Sequence, residues 1–428
     1  MQTEPRNCGS RIAGKDFGER GNRVNRLAQW ADLLISNASL DRGPFEEILV
    51  TEFPYLTNAL SSIYRPWNVS GDSGRPQQQS FVICTGSNNL HLAAHLIRSL
   101  RRVHNSQTII EIAYAGDEDL RPDHRSFLAG LEPDILFIDL LERFPAARDD
   151  LVKSGWAMKP FALLASFSSR AILMDADAVF LTSPDFLFDT HPALNKTGTL
   201  FYHDRAARAG EDKRKLWVKA QLEAAGRSPS THLATESLFY QENTWWEQDS
   251  GVVAVDRANV RALLGLIFAA WMNTKTVRKQ VTYQTFHGDK ETYWLAMELS
   301  GFEYFFQPWY AGNLGVARNV SSKTPGAEPK AEVCGTHMLH LDQLHKTPFW
   351  INGGLYDHKN EPERGFAEMT HYISGHASGR GPQWSFPRDN VACLNGGEVT
   401  ELSDEIRATW KRTCEEAATV DGMIKDIE

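Results

Sequence analysis

Two aspartates one residue apart, Asp175 and Asp177, interrupt an apolar run that starts at Ala171-Ile172-Leu173-Met174 and resumes at Ala178-Val179-Phe180-Leu181. Ile172 to Met174 read as a short strand buried on both faces, as in a parallel sheet, so the two acids stand where that strand ends. Ligands of open α/β sheets bind at the carboxyl ends of strands. Two carboxylates this close repel unless a cation or a proton lies between them. Hard oxygen donors suit Mg²⁺ or Mn²⁺, which complete their shell with water and substrate phosphates. The pattern therefore points to a diphosphate-bearing substrate, although acids are also common in turns.

Other residues of the right chemistry lie on both sides. Lys159 opens a helix expected over Trp156 to Phe167, with Pro160 in its first turn. Asp249 precedes Ser250-Gly251 and a strand expected at Val252 to Val255, and Asp289 stands just before a helix expected at Thr292 to Leu299, ended by Ser300-Gly301. A third cluster, Gly335 to Trp350, carries His337, His340, His345 and Lys346. That density suggests a loop in which an imidazole ligates a metal and a lysine neutralises phosphate.

These residues need a scaffold. Phe81 to Thr85 reads as a strand that runs through Gly86 into the helix caps Ser87, Asn88 and Asn89 and a helix over Leu90 to Val103. Leu92, Leu96, Leu100 and Val103 share one face of that helix, with Arg98, Arg101 and Arg102 pointing away. Further strands at Thr108 to Tyr114 and Ile135 to Ile138 alternate with helices and predict an α/β fold with a mostly parallel sheet. The exit loop of the first strand, at Gly86, is the expected nucleotide pocket. No Walker motif or dinucleotide fingerprint is present.

The division expected is an N-terminal helical accessory segment over 1–78, a catalytic domain over 79–360 and a C-terminal extension over 361–428. The first contains a helix around Val24 to Ile35, and the last turns polar and glycine-rich before a closing helix near Asp404 to Thr419. The length of 428 residues allows this. A net charge of −9 with no dense basic block excludes a nucleic-acid partner. Five cysteines without a C-x-x-C pair argue against zinc ribbons; one bridge, such as Cys393 to Cys414, is allowed, and the odd count leaves a thiol over. Four glycosylation sequons begin at Asn37, Asn68, Asn195 and Asn319. The start shows no apolar leader, and the apolar run Leu263 to Met272 is too short to span a bilayer.

Taken together, Gly155-Trp-Ala-Met-Lys159-Pro-Phe-Ala-Leu-Leu-Ala-Ser166, Leu173-Met-Asp-Ala-Asp177-Ala-Val-Phe-Leu181, Asp249-Ser-Gly251 and Gly288-Asp-Lys-Glu291 resemble the fungal Golgi α-1,3-mannosyltransferases, glycosyltransferase family 71. The resemblance covers roughly residues 80–360. Glycogenin-like enzymes are similar in two spacings: Lys159 lies sixteen residues before Asp175, and His340 six before Lys346. This chain departs from them at Gln343, Thr347 and Phe349.

The resemblance implies a GT-A type Rossmann-like catalytic domain and a retaining transfer of mannose from GDP-mannose to a mannosyl glycan or glycoprotein, forming an α-1,3 linkage. It implies that Asp175, Asp177 and His340 hold Mn²⁺, with Mg²⁺ as the alternative. Lys159 and Lys346 would then bind the diphosphate, Asp175 could instead reach the ribose, and Asp249 and Asp289 would face the sugar. It also implies a Golgi lumenal, type II membrane protein, with an anchor not visible here. A related α-1,2 or UDP-sugar transferase, a silent carbohydrate-binding homologue and a metal-dependent phosphohydrolase share parts of the pattern.

Overall fold

The computed structural model describes residues 16–68, 78–189, 191–207, 210, 213–242, 244–320, 330–342, 346–359, 361–375, 383–388 and 391–425. His345 and Gln343 lie outside the described residues. The central sheet takes β1 (Gln79–Cys84), β2 (Ile109–Tyr114), β3 (Ile135–Asp139) and β4 (Arg170–Asp175) from the first half of the chain. A short β5 (Ala178–Phe180) leaves for a second sheet, and β6 (Thr199–His203) and β7 (Gln248–Asp256) return to the first.

The order is β3-β2-β1-β4-β7-β6. The first four strands run parallel and β7 runs antiparallel to both of its neighbours, so the sheet is mostly parallel as expected. Burial explains the sequence pattern: Ile172, Leu173 and Met174 are fully enclosed, because helices cover both faces. The second sheet joins β8 (Gly312–Val320), β9 (Lys330–Leu341), β10 (Pro348–Asn352), β11 (His371–Ile373), β12 (Gln383–Arg388), β13 (Val391–Asn395) and β14 (Thr400–Glu401). Strand β10 pairs with β9 on one side and β5 on the other, which ties this sheet to the chain just beyond Asp177.

Several expectations change in detail. The helix after β1 is regular over Leu90–Arg98 and then widens into a π-helical turn, Ser99–Val103. That turn carries Arg101 inward, where its guanidinium donates to the carbonyls of Ser106 and Thr108 at 2.9 and 2.8 Å instead of pointing away. The helix beginning at Lys159 ends at Ala165, after a 3-10 turn over Gly155–Met158. The Gly335 to Leu341 segment belongs to the long strand β9 rather than to a loop. Asp249 is the second residue of β7, at the strand entrance as expected, although the strand starts at Gln248 rather than Val252. The bridge is Cys334–Cys393, between paired positions of β9 and β13, while Cys414 is a free thiol.

The N-terminal helix runs Asp16–Ser36 and shares one hydrophobic cluster with the helices Val260–Met272 and Thr292–Ser300. Phe17 packs edge-on against Trp217 and Trp271, with ring centroids 5.1 Å away in each case. The closing helix, Asp404–Lys425, returns to the helix after β1, where Glu416 and Asp421 meet Arg98 and His95. No helix among the described residues is long and apolar enough to cross a membrane.

Candidate active site

Asp175 is the last residue of β4, and its neighbour in register is Cys84, the last residue of β1. Both line a cavity of about 710 Å³ with the β1 exit loop Thr85 to Asn89, Lys159, Asp177, Asn352 and Lys359. Gly86 lies in that lining, and a Cβ there would come within 2.5 Å of the Asp119 carboxylate, so glycine keeps the loop closed against its neighbour. The cavity thus sits at the carboxyl ends of parallel strands, where the fold leaves its crevice.

Lys159 reaches this point because its helix starts beneath the sheet edge. Its ammonium lies 2.8 Å from Oδ1 of Asp175 and 3.5 Å from Oδ2 of Asp289, and it donates to Ser250 Oγ at 2.9 Å. Burial opposes its charge, yet Asp175 and Asp289 outweigh burial and hold its pKa above the ordinary lysine value. Burial also pushes the Asp175 carboxyl up to about 7; Lys159 pulls it down, and Asp177 and Asp289 add to the rise. The net arrangement is one buried cation, Lys159, among three acids, Asp175, Asp177 and Asp289.

Asp177 is held by Lys359, whose ammonium lies 2.6 Å from Oδ2. The Asp177 carbonyl accepts from the amides of Gly353 and Gly354 at 3.2 and 2.7 Å, so the turn after β10 is pinned to the metal-type motif. Gly353 and Gly354 have φ of +133° and +79°, backbone that favours glycine. This turn is what delivers Lys359. The sequence reading did not pick it out, because no apolar period surrounds it and only the paired glycines announce the turn.

Lys346 lies elsewhere. It is exposed, with its ammonium 5.7 Å from the Trp309 ring centroid, and it is not among the residues lining the cavity. His340 is buried in β9, stacked on Trp350 with centroids 4.0 Å apart, and its Nε2 lies 2.9 Å from Oδ2 of Asp249. Among the described residues, its buried Nδ1 has no hydrogen-bond partner. Asp249 also accepts from the Gly251 amide at 2.9 Å and the Asn352 amide at 3.1 Å. Burial would raise its carboxyl, but the His340 hydrogen bond and charge hold it down at about 2. Gly251 is required here, since a Cβ would meet Asn352 and the Trp350 ring at 2.9 Å.

The sequence-predicted residues therefore form two linked groups. Lys159, Asp175 and Asp289 make one, with Asp289 also accepting from the Tyr293 hydroxyl at 3.1 Å. Asp249 and His340 make the other, joined to the cavity through Asn352. Among the described residues, donor atoms that converge within 4.8 Å belong to His203, His232 and Glu247, and to Glu332 with the bridged Cys334 and Cys393. Asp175, Asp177 and His340 do not form such a ready-made group, because His340 is turned to Asp249. The carboxylates of Asp175 and Asp177 are the pair that fits a hard divalent ion, with the Lys359 ammonium now neutralising Asp177.

Residues 81–342 match the protein-family model Mannosyl_trans3, described as a mannosyltransferase. The chain belongs to this family. Similar mannosyltransferases are known from Saccharomyces cerevisiae: the chain is 26% identical over 326 residues to alpha-1,3-mannosyltransferase MNN1, covering 66% of this chain and 41% of that protein. It is 26% identical over 216 residues to alpha-1,3-mannosyltransferase MNT2, covering 47% of this chain and 37% of that protein. This member of the family thus spans well under half the length of those two relatives. Among solved structures it is similar to the mannosyltransferase Ktr4p from S. cerevisiae in complex with GDP, at 13% identity and a TM-score of 0.33 over 65% of this chain and 84% of that one.

Proposed function

We propose that this mannosyltransferase-family chain moves mannose from GDP-mannose to a mannosyl glycan acceptor, forming an α-1,3 linkage with retained anomeric configuration. The observation that carries the reading is the gathering of Lys159, Asp175, Asp177 and Lys359 at the end of β4, in a chain of that family. A leaving diphosphate develops negative charge, and fixed cations stabilise it where water would have to reorganise.

Asp175 and Asp177 would hold Mn²⁺ or Mg²⁺, and a bound divalent ion supplies Lewis-acid stabilisation to the departing diphosphate. Lys359 is the cation at the cavity mouth for the phosphates, the role expected from sequence for Lys346. Lys159 holds Asp175 and Asp289 in register beneath the sugar. Asp249 is oriented by His340 and Asn352, and it presents that amide to the cavity. Exposed sequon asparagines at Asn37, Asn68, Asn195 and Asn319, with the Cys334–Cys393 bridge, support a lumenal, oxidising compartment such as the Golgi.

The test is a thermal-shift panel of nucleoside diphosphates with Mn²⁺, followed by linkage analysis of the product. Stabilisation by GDP above UDP and an α-1,3-linked product are expected. Preference for UDP would overturn the donor assignment, and a folded protein that binds no nucleotide would overturn the transferase reading.

A further inference from the structure

A second cavity of about 880 Å³ adjoins the first and shares Asn352 and Lys359 with it. Its wall includes Arg205, His287, Asn313, Thr336, Trp384 and Phe386. Trp384 and Phe386 are two residues apart on β12, so both project from the same face of that strand. Their rings are 7° from parallel with centroids 6.3 Å apart, and Trp245 continues the row 6.1 Å beyond Phe386 at 11°. The Arg205 guanidinium lies 5.7 Å from the centroids of both Trp384 and Phe386.

Trp245 and Phe386 are 41% and 48% exposed, which leaves a flat apolar strip facing solvent beside a polar cavity. Such a strip is costly to hydrate and marks a surface that receives a ligand. Its shape selects the ligand. A pyranose ring has one face of C–H bonds that can lie on an aromatic plane and a rim of hydroxyls. The rim faces polar groups of the same wall, among them His287, Thr336 and Lys359.

We infer that Trp384, Phe386 and Trp245 form the acceptor platform, on which a hexopyranose unit of a neutral oligosaccharide stacks while its neighbour extends past Asn352 and Lys359 toward the donor cavity. This rests on the transferase reading for the direction of the chain, but not for the binding itself. Arg205, in the same cavity wall, lies within cation–π range of both rings.

The platform is tested with α-linked mannobiose as the probe, by steady-state kinetics and by NMR titration of the full chain. Trp384→Ala and Phe386→Ala should each raise the acceptor KM about tenfold, roughly the loss of one aromatic contact. Affinity for GDP should not change, which also reports that the variants are folded, and Phe386→Tyr should restore the KM. An acceptor KM within about twofold of wild type in both alanine variants would overturn the platform. If the wild type transfers nothing from GDP-mannose, the transferase reading fails on its own. The titration then decides the platform: mannobiose shifts of the tryptophan indole signals that vanish in Trp384→Ala support it, and no shift in wild type overturns it.

Discussion

The ammonium of Lys159 and the carboxylate of Asp175 stand 2.8 Å apart, the first at the start of a helix and the second at the end of β4. The lysine is almost wholly enclosed, so the pair locks helix and strand together at the point where the crevice opens. Removing one partner strands the other charge. Lys159→Met should cost about 3–5 kcal/mol of folding stability, the usual penalty for an uncompensated buried charge, and Asp175→Asn should cost less because that side chain still reaches the cavity. Urea unfolding of the two variants checks this. Equal, small losses for both would show that the pair is incidental.

The Asp175 carboxyl titrates near 7, far above its unfolded value, so folding takes up a proton between about pH 4 and about pH 7. Its ionisation therefore weakens the metal-free fold as pH rises through that window. A divalent ion reverses the sign by favouring the charged form. Mn²⁺ affinity, read by calorimetry, should fall steeply as pH drops below about 7. An affinity flat from about pH 5 to about pH 8 would mean that Asp175 is not a ligand.

Two lysines compete for the phosphate role, and the geometry separates them. Lys359 touches Asp177, while Lys346 lies over Trp309 outside the cavity lining. Lys359→Ala should weaken GDP binding about tenfold or more, and Lys346→Ala should change it by less than about twofold. The reverse pattern would restore the assignment suggested by the spacing of His340 and Lys346.

Gly21 in the N-terminal helix lies against the carbonyl of Leu299, which an added Cβ would approach to 2.2 Å. Gly18 does the same at the carbonyl of Gln221. Ordinarily Gly→Ala inside a helix is stabilising. Here Gly21→Ala should destabilise by about 1–3 kcal/mol through overpacking, and thermal unfolding should show one cooperative transition shifted down. A raised melting temperature would mean that this helix is only loosely attached.

The legibility of the sequence follows the same physics. The strand ending in Asp175 was readable because its apolar run is buried on both faces, and Lys159 because its helix feeds that strand directly. Asp249 was legible as a residue at a strand entrance, but its partners were not, since His340 of β9 and Asn352 of β10 lie far along the chain. Strands β11 and β14 gave no apolar period, being short and half exposed. The packing of the N-terminal helix was not legible, because its fit depends on Gly18 and Gly21, three residues apart, a spacing whose meaning appears only once the opposing backbones are in view. Lys359 was hidden for a similar reason: a glycine turn, rather than a helix or strand, carries it to Asp177.

The most direct measurement is the release of GDP from GDP-mannose by the purified chain in the presence of mannobiose, compared for wild type and Asp177→Ala with and without Mn²⁺. The account predicts Mn²⁺-stimulated release with wild type, an α-1,3-linked trisaccharide as product, and a loss of about a thousandfold or more in Asp177→Ala at unchanged melting temperature. Release that is equally fast in Asp177→Ala, or in wild type stripped of divalent ions, would contradict it.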